Sequence, residues 1–196
     1  KRLQEEPTRT QSEEPKESPL TFTFSHPRQI IYYGAPGTGK SHTIKREEDE
    51  GKITCIRTTF HPDSDYATFV GCYKPHKDKE SKELTYEFVE QAFLSAYKQA
   101  WMNPDKEIAL VIEEINRGNC AQVFGDIFQL LDRDEDGWST YPIKADTDIA
   151  DHLEGCNIPA YVETMKDRFG KDKEGNEKYP DRNWFEFMAL PPNMSI

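Results

Sequence analysis

The chain has 196 residues, 35% of them hydrophobic and 31% charged, with a formal net charge of −11. That length allows one sizeable core, and the acidic balance argues against a generic nucleic-acid binder, whose phosphate contacts need Lys and Arg. No apolar run approaches the roughly 20 residues that span a bilayer as a helix, and no signal-peptide pattern opens the chain. Residues 1–19 are rich in Glu, Pro, Ser, Thr and Lys with almost no apolar content. They read as a disordered tail or linker, because such a segment cannot bury enough surface to offset its ordering entropy. Residues 20–196 read as the folded part.

Residues 29–33 are predicted as a short buried strand, followed at once by a glycine-rich turn and a helix over 41–48. Residues 53–60 are β-branched enough for a second strand. Residues 61–84 are polar and punctuated by Pro62, Gly71 and Pro75, so they read as a long loop. Val89, Phe93, Ala96, Tyr97 and Ala100 recur at helical spacing, and Asn103-Pro104 stops that helix. Residues 108–112 are apolar without a break, the pattern of a strand covered on both faces in a parallel sheet. A helix over about 119–131 would place Val123, Ile127, Leu130 and Leu131 on one side, and Asp136-Gly137 marks a turn or hairpin tip. The stretch at about 144–181 is polar and acidic and reads as an insertion, with weak helical signals around 161–169 and an exposed loop at 171–178. Residues 184–190 are predicted as a strand, and 194–196 as the start of another. Alternating strands and helices of this kind predict an α/β layer fold around a parallel sheet.

Gly34-Ala35-Pro36-Gly37-Thr38-Gly39-Lys40-Ser41 is a complete P-loop pattern between a predicted strand and a predicted helix. The chemistry needs these residue types. Glycines let backbone N–H groups turn inward on phosphates, and the helix that begins there, with His42 in its first turn, adds the positive end of its dipole. Lys40 is placed to reach the β- and γ-phosphates, and the Ser41 hydroxyl to ligate Mg²⁺. The strand at 108–112 ends in Glu113-Glu114. Glu113 is the candidate holder of Mg²⁺ through its water shell, and Glu114 the candidate general base for an attacking water.

The continuation, Glu114-Ile115-Asn116-Arg117-Gly118-Asn119 and then Phe124-Gly125-Asp126, resembles the McrB family of AAA+ NTPases, the motor subunits of modification-dependent restriction systems. Thr58-Thr59-Phe60-His61-Pro62 with Tyr66, Phe69, Val70 and Gly71 is similar to a second family segment, and Leu190-Pro191-Pro192-Asn193 to the lead-in of its sensor strand. The resemblance implies a three-layer P-loop core with a central parallel sheet, a GTP or ATP substrate, a hexameric homo-oligomeric ring, a McrC-like nuclease partner, and DNA contacts made by other domains. It implies Asn116 near the γ-phosphate or its water and Arg117 facing a neighbouring subunit; the alternative for both is a turn-and-cap role before the next helix. Two departures stand out. Glu113 replaces the family's usual Asp, which opens the alternative of a slow or non-hydrolysing nucleotide switch. The family's Met-Asn…Asp-Arg motif, the last core strand and the helical lid are not in this sequence, so weak turnover is expected of it. A MoxR- or midasin-like ATPase that remodels proteins is a further alternative.

Cys55, Cys72, Cys120 and Cys156 are far apart and form no CxxC pair, so they read as reduced thiols of a cytoplasmic protein. The run Asp132 to Gly137 imitates the start of a calcium loop, but the twelfth position is Ile143 instead of a bidentate Glu. The histidines show no metal spacing; His61 alone lies in a family-like segment. Trp184, Phe185 and Phe187 read as strand packing.

Overall fold

The computed structural model describes residues 18–22, 28–35, 37–78 and 82–196, so Pro36 and most of the expected tail lie outside the described residues. In chain order the elements are α1 (Lys40–Asp49), β1 (Thr54–Thr59), α2 (Tyr66–Phe69), β2 (Gly71–Lys77), β3 (Leu84–Glu90), α3 (Ala92–Met102), β4 (Ile108–Glu113), α4 (Cys120–Phe124), β5 (Ile143–Lys144), α5 (Thr147–Gly155), α6 (Tyr161–Phe169), β6 (Phe187–Met188) and β7 (Met194–Ser195).

The chain is α/β. A three-stranded parallel sheet of order β1-β4-β7 forms its centre, with Thr54 opposite Ile108 and Thr59 opposite Glu113 on one side and Ile108 opposite Met194 on the other. β4 buries Ile108, Ala109 and Leu110, as expected for a strand with two neighbours. α3 packs on this sheet through Phe93, Leu94, Ala96, Tyr97, Ala100 and Trp101. An aromatic cluster joins it to the rest: Trp101 meets Tyr161 at 4.4 Å and Trp138 at 5.7 Å between ring centroids, and Phe22 meets Trp101 at 5.5 Å. Asn193, buried, fixes the entry to β7. Its amide nitrogen lies 2.9 Å from the Ala100 carbonyl and 3.0 Å from that of Asn103.

Several expectations need correction. Residues 29–33 form no strand: Ile31 is 78% and Tyr33 90% exposed. Their ladder holds at one point, where Ile196 N–H donates to Arg28 O at 2.7 Å and Ile30 N–H to Ile196 O at 3.0 Å. That staggered pair is the parallel pattern, so the chain leaves Gln29 in the same direction as β1, β4 and β7.

The expected loop at 61–84 holds α2 and β2, the first strand of an antiparallel hairpin whose second strand, β3, begins at Leu84. Most of that hairpin is exposed, so it lacks the buried alternation by which strands are read. Val89 belongs to β3 and not to α3, whose buried stripe begins at Phe93. The helix expected over 119–131 stops at Phe124, where Gly125 takes φ 51°, and continues as a 3₁₀ segment to Leu131. The strand expected at 184–190 is a 3₁₀ turn over Trp184–Glu186 and the short β6, paired with β5. Trp184 is buried in the core all the same.

Asp136-Gly137 does turn the chain, with Arg133 bridging Ser139 in antiparallel fashion. Asp134 and Asp136 both face the Arg168 guanidinium. The four cysteines are unpaired and half-buried. Within the 144–181 stretch, α5 and α6 bury Ile149, Leu153, Tyr161 and Met165 in the common core.

Candidate functional site

The loop before α1 is built by its glycines. Gly37 has φ 80° and Gly39, the residue that caps α1, has φ 86°, a region that side-chain-bearing residues rarely enter. The Thr38 hydroxyl donates to Ala35 O at 2.9 Å and closes the turn on itself. The Lys40 ammonium folds back and donates to Gly34 O at 2.8 Å and Ala35 O at 2.9 Å. Gly34, Ala35, Gly37, Thr38, Gly39, Ser41 and His42 are exposed, and Lys40 is half-buried. Among the described residues the lysine charge is thus met by neutral carbonyls alone, which an anion readily displaces. A positive-φ loop, an ammonium and a first-turn hydroxyl at a helix N-terminus form a donor set suited to a polyphosphate.

The second group of residues leaves the C-terminal end of β4. Glu113 ends the strand, and its carbonyl accepts from Phe60 N–H at 2.9 Å. Glu114 takes φ 55°, so the chain turns sharply there into the 3₁₀ turn Ile115–Arg117. The Arg117 guanidinium lies 3.1 Å from the Glu114 carboxylate. Glu113, Glu114, Asn116 and Arg117 are all exposed. Helix α4 is capped by Asn119, whose side chain accepts from Gln122 N–H at 3.4 Å, so capping falls to neither Asn116 nor Arg117. The turn is held down at Gly118, where a Cβ would sit 3.0 Å from the Phe60 ring. Two exposed carboxylates at a strand end suit a hydrated divalent cation.

Among the described residues, Lys40 and Ser41 make no hydrogen bond or ion pair with Glu113, Glu114, Asn116 or Arg117. What links the two groups is Arg57 on β1, which was not apparent in the sequence. Its guanidinium lies 2.7 Å from Glu48 on α1 and 3.9 Å from Glu113. The hydrogen bond to Glu48 raises the Arg57 pKa against the opposing effect of burial, with smaller contributions from Cys55 and, last, Glu113. Arg57 stands two positions before Thr59, the cross-strand partner of Glu113, and so shares its sheet face; a charged residue at that position of a central-sheet strand was the available signal. A cleft of about 370 Å³ opens beside this end of β1, lined by Thr58, Thr59, His61, Asp63, Ser64 and Thr68 among others. His61 is exposed there, its backbone N–H donating to the Ser64 hydroxyl at 2.9 Å.

No protein-family model matches the chain. It is 41% identical over 155 residues to the type II restriction enzyme BsuMI component YdiS of Bacillus subtilis (strain 168), a match covering 66% of this chain and 45% of the relative. It is 28% identical over 121 residues to the type IV methyl-directed restriction enzyme EcoKMcrB subunit of Escherichia coli (strain K12), covering 57% of this chain and 25% of that protein. The match therefore spans less than half the length of either relative.

Proposed function

Starting from a chain that is McrB-like and related to restriction-system proteins, we propose that it is the nucleotide-binding core of an AAA+ NTPase that binds and hydrolyses GTP or ATP with Mg²⁺. The observation that carries this reading is directional. Gln29 runs parallel to β7, β7 to β4, and β4 to β1. The loop after residue 33 and the acids after Ile112 therefore both leave the C-terminal edge of one sheet, the edge where ligands bind in open α/β folds.

In this mechanism the triphosphate displaces the Gly34 and Ala35 carbonyls from Lys40, and backbone N–H groups of the loop would donate to its phosphate oxygens. Ser41 and Glu113 would hold the Mg²⁺, Glu113 through water, and the ion offsets charge on the phosphates. Glu114 would orient and deprotonate the attacking water; it must first leave Arg117, which frees Arg117 for a neighbouring subunit, and Asn116 would lie near the γ-phosphate or its water. In the whole protein this core would assemble as a hexameric ring in the cytoplasm, work with a McrC-like nuclease, and meet DNA through other domains. Residues 1–19 would be its linker and 144–181 an insertion. No helix among the described residues is long and apolar enough to cross a membrane.

Steady-state hydrolysis by the full-length assembly tests the reading. Glu114→Gln is expected to lower turnover by about 100-fold, the usual scale for losing a general base, with nucleotide binding kept. Unchanged turnover would overturn the role of Glu114. A second reading, a slow nucleotide switch, is favoured by the Glu113–Arg57 pair, which occupies the metal carboxylate. Glu113→Asp discriminates: a large rise in turnover supports the switch, and no change counts against it.

A further inference from the structure

We propose that Arg57 is a positioning residue of the metal half of the site: a resident counter-charge that occupies Glu113 until Mg²⁺ arrives, anchored meanwhile from the helix that carries Lys40 and Ser41. The proposal rests on the nucleotide-binding reading above.

The geometry is asymmetric. Arg57 lies 2.7 Å from Glu48 and 3.9 Å from Glu113. The first contact is a charge-assisted hydrogen bond and the second is a looser ion pair. An incoming cation therefore takes Glu113 without detaching Arg57 from Glu48. Helix α1 buries none of its residues, so it has little apolar surface to fix it on the sheet. Glu48 is its polar tie to β1. The same guanidinium thus reports the position of the phosphate-binding helix to the carboxylate expected to hold the metal.

Competition fixes the sign of the effect. A guanidinium beside Glu113 lowers the local attraction for a divalent cation, so its removal tightens Mg²⁺ binding. A residue that merely braced the strand end would do the opposite, because losing the brace would scatter the carboxylate.

The test is a Mg²⁺ titration of fluorescent GTP and ATP binding to the full chain, in the unaltered protein, Arg57→Gln and Arg57→Lys. Arg57→Gln is expected to lower the half-saturating Mg²⁺ concentration about two- to fivefold, the range for one partly exposed ion pair. Arg57→Lys should stay close to the unaltered chain. A half-saturating concentration that is unchanged or higher in a folded Arg57→Gln protein overturns the proposal and leaves the nucleotide-binding reading standing. If Arg57→Gln does not fold, Glu48→Gln substitutes for it: its loss frees Arg57 to hold Glu113 more tightly, so the half-saturating concentration should rise, and no rise overturns the proposal. Absence of Mg²⁺-dependent binding from both the unaltered chain and the full-length assembly overturns both.

Discussion

Arg133 and Met194 are joined by a 2.7 Å hydrogen bond from the guanidinium Nη2 to the Met194 carbonyl oxygen. The other terminal nitrogen of Arg133 donates to Gly137 O at 2.9 Å, Leu190 O at 3.0 Å and Pro191 O at 3.2 Å. One side chain therefore ties the turn at Asp136-Gly137 to the whole approach of β7. Burial, with Arg28 nearby, pushes the Arg133 pKa down to about 9, which leaves it charged at neutral pH.

Replacing Arg133 by Met keeps the bulk of the stem and takes a donor from all four carbonyls; Leu190 O keeps Ser139 N–H at 3.1 Å and Pro191 O keeps Met194 N–H at 3.2 Å, so Gly137 O and Met194 O lose most. Unsatisfied buried acceptors cost about 1–3 kcal/mol each, moderated by relaxation. Arg133→Met should lower stability by about 2–4 kcal/mol in urea unfolding. A loss within about 0.5 kcal/mol, the scatter of neutral surface changes, would contradict the clamp.

Tyr161 sits in a relay with a fixed direction. Ala189 N–H donates to the Tyr97 hydroxyl at 3.3 Å, the two phenols lie 2.7 Å apart, and Tyr161 donates to Phe187 O at 2.6 Å. Since Tyr161 spends its one hydrogen on Phe187, Tyr97 is the donor between the phenols. Burial holds both phenols well above the usual tyrosine range. Tyr161→Phe removes the middle of this chain and should cost about 1–3 kcal/mol. Tyr97→Phe also removes two bonds, the one from Ala189 N–H and the one to Tyr161, and should cost a similar amount. A loss within about 0.5 kcal/mol in either variant, the scatter of neutral surface changes, would contradict the relay.

Glu90 ends β3 and meets Lys98 at 2.5 Å and His152 at 3.1 Å, while Cys156 lies 3.6 Å from the same imidazole nitrogen. Burial raises the Glu90 pKa, but the hydrogen bonds from Lys98 and His152 outweigh it and leave it below the ordinary 4.5. The folded value is the depressed one, so this stabilisation is complete above the unfolded value of about 4.5 and is lost as pH falls through the lower folded value. Urea midpoints measured at about pH 6 and about pH 3.5 should fall less in Glu90→Gln than in the unaltered chain. Identical falls would contradict the assignment.

The sequence revealed most where a pattern has a single physical solution. The apolar run at 108–112 could only be a strand with two neighbours, and β4 is that strand. The glycine-rich turn expected from Gly34 to Gly39 is there, with Gly37 and Gly39 in the left-handed conformation that glycine permits. Legibility failed where burial was absent. The hairpin of β2 and β3 holds together through backbone bonds and cross-strand pairs such as Tyr73 with Phe88, most of it in solvent, so no hydrophobic period announces it. It failed again at residues 29–33, whose apolar side chains suggested a buried strand. Their backbone finds one partner residue, Ile196, and the side chains stay exposed. Arg57 was overlooked because its meaning lies in two partners distant in sequence, Glu48 and Glu113, which only the β1–β4 register brings to it.

The central claim is that Lys40 and its loop hold a nucleoside triphosphate. The direct measurement is Mg²⁺-dependent binding of labelled GTP and ATP to this chain, with Lys40→Ala as control. Among the described residues the Lys40 ammonium hydrogen-bonds only to the Gly34 and Ala35 carbonyls, so the variant should unfold at the temperature of the unaltered chain. Saturable binding of one or both nucleotides, lost in Lys40→Ala, is the predicted result. Binding that is equal in the folded variant, or absent from both the chain and the full-length assembly, would contradict it.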